Sequence, residues 1–400
     1  MTKGPVIVLV DGEHHPPLVR EALDRLDREI AGVIFCGGEE KLPPGPLEEH
    51  YGRPVDVEPE VALRKLAPRA TTVVDLADEP VLDPQRRLWL AAYALHLGLA
   101  YEAPGVCLDP PPYKPVPFDG PKLAVIASGK RTGKTAIAGH WARLLAERGL
   151  EPVIVCMGRG GPPEPKVAPA GIGLDELVAI SESGEHAASD YLEDAALAGV
   201  RTVGCRRVGG GLAGEPAESN VPEGGALAAS LEPHALLFEG SGSAIPPVEV
   251  DRTLCIAGAR AIEDLGAYRL LRADLILLPD FAGHGSVEGI RFALRAEPVE
   301  PVPGDARVAL FTTGAPSCEG VEPVVSSENL ARRSALEADL ESAAAAGCDL
   351  YLTELKAAAI DTVAMAARER GARVVFVRNR PVGLDGDLDE ALVNLYDDVA

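Results

Sequence analysis

A chain of 400 residues is too long for one ordinary core and predicts two domains. With 46% apolar and 25% charged residues it reads as a soluble globular protein, and no run of 18 uncharged apolar residues offers a membrane-spanning helix. A formal net charge of −23 argues against nucleic acid or an anionic membrane as partner, so any anionic ligand must be met by cations gathered locally from a chain with only nine lysines.

In chain order, Val6–Val10, Gly32–Cys36 and Thr71–Leu76 read as buried β-branched strands. Leu18–Ile30 and Arg86–Leu97 read as amphipathic helices, so residues 1 to about 103 form a small α/β layer. The opening apolar stretch is short, with no basic lead and no small-residue cleavage site, and is a strand, not a signal peptide. Residues 104–121 hold seven prolines in eighteen positions, a stiff connector and the best boundary. This predicts an amino-terminal α/β domain over 1–120 and a larger domain over 121–400. In the latter, strand patterns fall at Leu123–Ala127, Pro152–Met157, Thr202–Cys205, Ala235–Phe238, Thr253–Ala257, Leu275–Leu278, Val308–Thr312, Leu350–Thr353 and Arg373–Val377. Helical segments between most of them predict a mainly parallel sheet covered on both faces. The glycine-rich stretch 208–225 reads as a loop. Seven scattered cysteines without a C-x-x-C predict free thiols in a reduced, cytoplasmic protein.

The densest signal is Ser128-Gly129-Lys130-Arg131-Thr132-Gly133-Lys134-Thr135, after an apolar strand and before the helical pattern Ala136–Leu145. Strand, glycine loop, Gly-Lys-Thr and helix are the context of a phosphate-binding P-loop. Gly129 and Gly133 let backbone N–H groups turn onto phosphate oxygens, and the helix start adds its positive end. Lys134 is expected on the β- and γ-phosphates and Thr135 on Mg²⁺. The loop departs from the usual pattern at Ser128 and carries two extra cations, Lys130 and Arg131.

Glu239 closes the strand Ala235–Phe238 before Gly240-Ser241-Gly242, where a P-loop protein places an acid beside the metal; a strand-end acid facing water is the alternative. Asp75 and Asp280 are weaker competitors. Asp11, Glu13, His14 and His15 follow the first strand, where open α/β sheets bind ligands. A phosphate or carboxylate contact fits them better than a two-histidine metal site, and a turn capped by Asp11 fits as well. Arg159, in Gly158-Arg159-Gly160-Gly161, offers a bidentate grip on phosphate, and Arg206-Arg207 is a second cationic pair. Gly209–Gly214 matches G-x-G-x-x-G, but no helical pattern follows, which rejects a dinucleotide fingerprint. His186, Ser189 and Asp190 open a helix, where Ser189 or Asp190 could serve only as its cap. Lys356 follows the strand Leu350–Thr353, is expected at the same sheet edge as the P-loop, and is either a phosphate ligand or a surface lysine. Asn379, after the last strand, could frame the nucleotide base, and the absence of N-K-x-D favours ATP over GTP.

These residues resemble the cyclic 2,3-diphosphoglycerate synthetase family over most of the chain. The resemblance rests on Val8-Leu9-Val10-Asp11-Gly12-Glu13-His14-His15-Pro16-Pro17, the loop 129–135, Gly158-Arg159-Gly160-Gly161 with Glu164-Pro165, and Glu354-Leu355-Lys356-Ala357-Ala358-Ala359. The P-loop half is also similar to dethiobiotin synthetases. The resemblance implies ATP-dependent closure of 2,3-diphosphoglycerate to its cyclic phosphoanhydride, with release of ADP and phosphate. Lys134, Lys130, Arg131, Lys356 and Arg159 are then the expected catalytic groups. Nucleotide contacts are expected from 129–135 and Asn379. Substrate contacts are expected from Asp11, Glu13, His14, His15, Arg159, Arg206, Arg207 and Lys356, and metal contacts from Thr135 and Glu239. ATP and Mg²⁺ are the expected cofactors, K⁺ is a candidate monovalent ion, and a homodimer is a candidate assembly. The competing expectations are a 2-phosphoglycerate kinase with a linear product and a nucleotide-driven switch.

Overall fold

The computed structural model describes residues 4–259, 261–283, 285–314 and 317–400. The chain divides into two compact units. One comprises Met1–Pro112, Leu212–Gly214 and Arg260–Arg272; the other comprises Tyr113–Gly211, Glu215–Ala259 and Ala273–Ala400. The first unit therefore includes two short pieces from the later chain. Among the described residues no helix is long and apolar enough to cross a membrane, and all seven cysteines are free.

The first unit is built on a six-stranded sheet with Val6–Val10 near its middle. Ile30–Phe35 and then Val55–Asp56 lie on one side of it, and Thr72–Asp75, Ala100–Ala103 and Val106–Leu108 on the other. All neighbours are parallel except the last pair. Val6–Val10 is buried at every position, as a parallel strand covered on both faces must be. The helix expected to Ile30 spans only Pro16–Arg25, because Ile30 opens the next strand and pairs with Val6.

The second unit carries a thirteen-stranded sheet. Seven parallel neighbours form its larger part: Thr202–Val208, Pro152–Gly158, Ala235–Glu239, Lys122–Ala127, Arg252–Ile256, Leu275–Pro279 and Ile290–Pro298. This is the mainly parallel α/β architecture expected. The helix Lys134–Glu147 lays Ile137, Ala138, Trp141, Ala142 and Leu145 on the sheet, all fully buried. Truncating such an indole costs about 3–5 kcal/mol.

A second expectation is corrected. The stretch 208–225 is not all loop: Glu218–Ser219 is a strand and Val221–Ala229 a helix. Gly224 lets that helix lie on the sheet, since a Cβ there would collide with Cys205 Sγ. The last four strands in the sheet order run against the P-loop strand, a feature on which the sequence made no expectation. Ile290–Pro298 starts beside Leu277 and overhangs the end of Leu275–Pro279. Arg373–Gly383 pairs antiparallel with that overhang, and Leu350–Glu354, Val308–Phe311 and Val325–Ser327 follow parallel to Arg373–Gly383. The register places Glu354 opposite Val377 and Val377 opposite Pro298, so the carboxyl end of Leu350–Glu354 points back toward the phosphate-loop end of the larger sheet. Lys356 thus approaches from a strand of opposite direction.

Candidate active site

The loop between Ala127 and the helix at Lys134 is held from beneath. Ser128 N–H donates to Ile256 O at 3.0 Å, and its Oγ accepts from Gly258 N at 2.7 Å. Ser128, where the motif departs from glycine, therefore stitches the loop to the neighbouring strand. Gly133 sits at φ +92°, the left-handed geometry that suits glycine, and Arg131 holds φ +56° without that freedom. No amide from Gly129 to Gly133 donates to a protein acceptor among the described residues. The loop is thus a nest of free N–H groups, the arrangement that takes an anion. The Thr132 hydroxyl is buried without a partner. Lys134 folds over the loop, its Nζ 3.2 Å from Gly129 O, and burial lowers its ammonium pKa against the charges of Glu239 and Asp190.

Glu239 ends the adjacent strand in register with Val125. Its Oε1 accepts from Thr135 Oγ1 at 2.7 Å and its Oε2 from Cys156 Sγ at 3.1 Å. Both expected metal ligands are therefore brought together. Behind them lies a buried acidic group absent from the expected set: Glu193 and Asp194, on the helix Asp190–Leu197. Ligand atoms of Cys156, Asp194 and Glu239 lie within 4.8 Å of one another. Burial pushes the Asp194 carboxyl well above its ordinary value, with Glu239 and Glu193 adding to the rise. Burial, then the charge of Asp190, also raises Glu239, while Thr135, Cys156 and Lys134 oppose it.

Lys356 closes the other side, its Nζ 3.4 Å from Glu193 Oε1. Burial pushes Glu193 up to about 7, and Lys356 draws it back. The charge of Glu193, acting against burial, raises the Lys356 ammonium. Glu354 accepts from Thr313 N and Oγ1, each at 2.7 Å, and from Asn379 Nδ2 at 3.0 Å. Burial would raise its carboxyl, but Lys356 and these bonds hold it low. Asn379, expected at the base, donates Nδ2 to Glu354, and with Thr135 and Asp194 it lines a cavity of about 20 Å³, room for a water.

The cations divide by strand alternation. Arg207 is buried, its Nη2 donating to Ser241 O at 2.8 Å, and burial, then Arg159, lowers its pKa. Arg206, the next residue back, is exposed on the other face and does not join it. Gly242, at φ +62°, leaves room for Arg159, and Lys130 packs beside the same glycine. Lys130, Lys134, Arg159 and Arg207 therefore converge where Glu239 ends its strand.

In the first unit, Asp11 is fully buried. Its carboxylate accepts from the amides of Glu13, His14 and Asp78 and meets His14 Nδ1 at 2.8 Å. Asp11 therefore orients the His14 ring. Glu13 is ion-paired to Lys41, and His15 is exposed.

Sequence models of three domains match this chain: the cyclic 2,3-diphosphoglycerate synthetase N-terminal domain over residues 5–109, its P-loop domain over 122–285 and its C-terminal domain over 298–380. The chain is 44% identical to the cyclic 2,3-diphosphoglycerate synthetase of Rubrobacter xylanophilus over 96% of each chain. It belongs to the cyclic 2,3-diphosphoglycerate synthetase family. The synthetase of Thermococcus onnurineus is 37% identical over 97% of this chain and 98% of its own, and that of Methanothermobacter thermautotrophicus 35% over 98% and 96%. Among solved structures, LpxK from Aquifex aeolicus in complex with ATP overlays with TM-score 0.41 at 15% identity, over 72% of this chain and 90% of its own, too loosely to carry an argument.

For this member of the family, sequence reasoning missed Glu193, Asp194 and Cys156. The available signal was the spacing Asp190, Glu193, Asp194, which puts three acids on one helical face. Ser189 occupies the cap position of that helix, but its side chain makes no cap bond.

Proposed function

We propose that this chain is an ATP-dependent ligase that closes 2,3-diphosphoglycerate into its cyclic phosphoanhydride. The supporting observation is that a protein of net charge −23 leaves the amides of Gly129–Gly133 free and clusters Lys130, Lys134, Arg159 and Arg207 beside them. Triphosphate binds along the loop, with Lys134 reaching its terminal phosphates and Arg131 at the rim. A phosphate oxygen of the substrate attacks the γ-phosphorus, and ADP leaves with the electrons of the β–γ bridge. The neighbouring substrate phosphate then attacks the acceptor phosphorus of this mixed diphosphate, and orthophosphate leaves with the electrons of the new bridge. Charge stabilisation and alignment by Lys130, Arg159, Arg207 and Lys356 carry the rate, with no protein nucleophile.

Thr135 Oγ1 and Glu239 Oε1, hard oxygens 2.7 Å apart, suit Mg²⁺ and would hold it. The ion would supply charge neutralisation at the phosphates. K⁺ is proposed only as an accessory ion, without an assigned ligand. In the first unit, His14, fixed through Nδ1, presents Nε2 as a proposed anion contact.

Phosphorus NMR of the protein with Mg-ATP and 2,3-diphosphoglycerate tests the reading. It predicts one cyclic product, ADP and orthophosphate in equal amounts. ADP and orthophosphate with the substrate unchanged would identify a switch ATPase and overturn it. So would 2-phosphoglycerate converted to a linear bisphosphate.

A further inference from the structure

Beside the phosphate loop lies a cavity of about 290 Å³ that none of residues 128–135 lines. Arg159, Gly160, Ser241, His186 and the run Ala188–Tyr191 wall it. A second cavity of about 710 Å³ adjoins it, sharing Gly160, His186, Ser189 and Tyr191. The smaller volume suits a compact metabolite, at the low end of the roughly 300–1,000 Å³ of small-molecule sites.

The cavity has two chemically different ends. At the inner end, Cys156 bonds Glu239, which bonds Thr135, so this wall abuts the nucleotide side. Arg159 stands there without a carboxylate partner among the described residues, with Lys130 at the same Gly242 turn. Asp190 also lines this end, and its charge is answered by Lys134 and Lys356. At the outer end stand His186 and Ser189. Ser189 begins the helix Asp190–Leu197 yet spends no bond on capping it, and its buried hydroxyl lies beside the Tyr191 phenol with no close hydrogen bond made. The helix itself offers the first-turn amides of Asp190 and Tyr191 no acceptor.

Ring closure needs the two substrate phosphates side by side, so both belong at the cationic inner end. The group left to be held apart from them is the carboxylate. We infer that this cavity is the acceptor subsite, and that His186 and Ser189 bind the substrate carboxylate and thereby select a phosphorylated acid over a phosphorylated alcohol. The inference rests on the synthetase reading and adds to it the residues that set its specificity.

The test compares 2,3-diphosphoglycerate with propane-1,2-diol bisphosphate, which keeps adjacent phosphates and lacks the carboxylate. His186→Gln and Ser189→Ala are assayed alongside wild type, with thermal melting as the folding control. Each substitution is expected to raise KM for 2,3-diphosphoglycerate by about tenfold or more, the loss of a charged hydrogen bond, with KM for ATP unchanged. Neither should change KM for the alcohol analogue. Unchanged KM for the acid, or equal rises for both substrates, in an active wild type would overturn the subsite and leave the synthetase reading standing. A wild type that forms no cyclic product would remove that reading, and the subsite with it.

Discussion

Thr135 donates its hydroxyl to Glu239 at 2.7 Å, tying the start of the phosphate-loop helix to the acid that ends the neighbouring strand. Glu239→Gln keeps the shape and removes the charge. Turnover should fall by about 10²–10³, the scale for a lost electrostatic group at a reacting centre. Mg²⁺ should then no longer strengthen ATP binding in calorimetry, while the melting temperature should hold or rise, because burial penalises the charge. Undiminished Mg²⁺ dependence would refute the metal assignment.

Arg131 adopts φ +56° in the middle of the loop. A left-handed non-glycine residue costs roughly 1–2 kcal/mol. Arg131→Gly should therefore stabilise the protein or leave its melting temperature unchanged, yet lower turnover, with the loss appearing in kcat more than in KM for ATP. Full activity would show that the guanidinium contributes nothing.

Burial pushes Glu193 up to about 7, from an ordinary 4.5, despite Lys356. The folded protein then binds this proton more tightly than the unfolded chain. The group's contribution favours folding at low pH and is lost as pH rises between those two values. Urea midpoints should fall from about pH 5 to about pH 8, and the fall should be shallower in Glu193→Gln. Parallel slopes in the two proteins would contradict the assignment.

A Cβ on Gly224 would run into Cys205 Sγ. Gly224→Ala should cost about 1–3 kcal/mol in urea denaturation, the usual penalty for overpacking. Adding Cys205→Ala should restore part of it. A neutral Gly224→Ala would mean that the helix Val221–Ala229 does not pack on the sheet here.

The loop 129–135 and Glu239 were legible in the sequence because their signals are local, a glycine motif after a strand and an acid at a strand end. The alternation along Thr202–Val208 separates Arg207 from Arg206, a distinction that composition alone does not make. Glu193 and Asp194 were not legible, since acids on a helix face solvent by default and only packing against Cys156 and Glu239 buries them. Strand direction was also hidden, because an apolar run looks the same either way. The pairing of 292–298 with 377–383 decides that Lys356 meets the site from an opposed strand. Gly224 read as loop because glycine's sequence signal does not distinguish flexibility from close approach.

The most direct test follows one oxygen. With ¹⁸O in the non-bridging positions of the substrate phosphates, the account predicts that each orthophosphate released during cyclisation carries one ¹⁸O atom, seen by mass spectrometry. Orthophosphate free of substrate-derived label, its new oxygen coming from water, would contradict it.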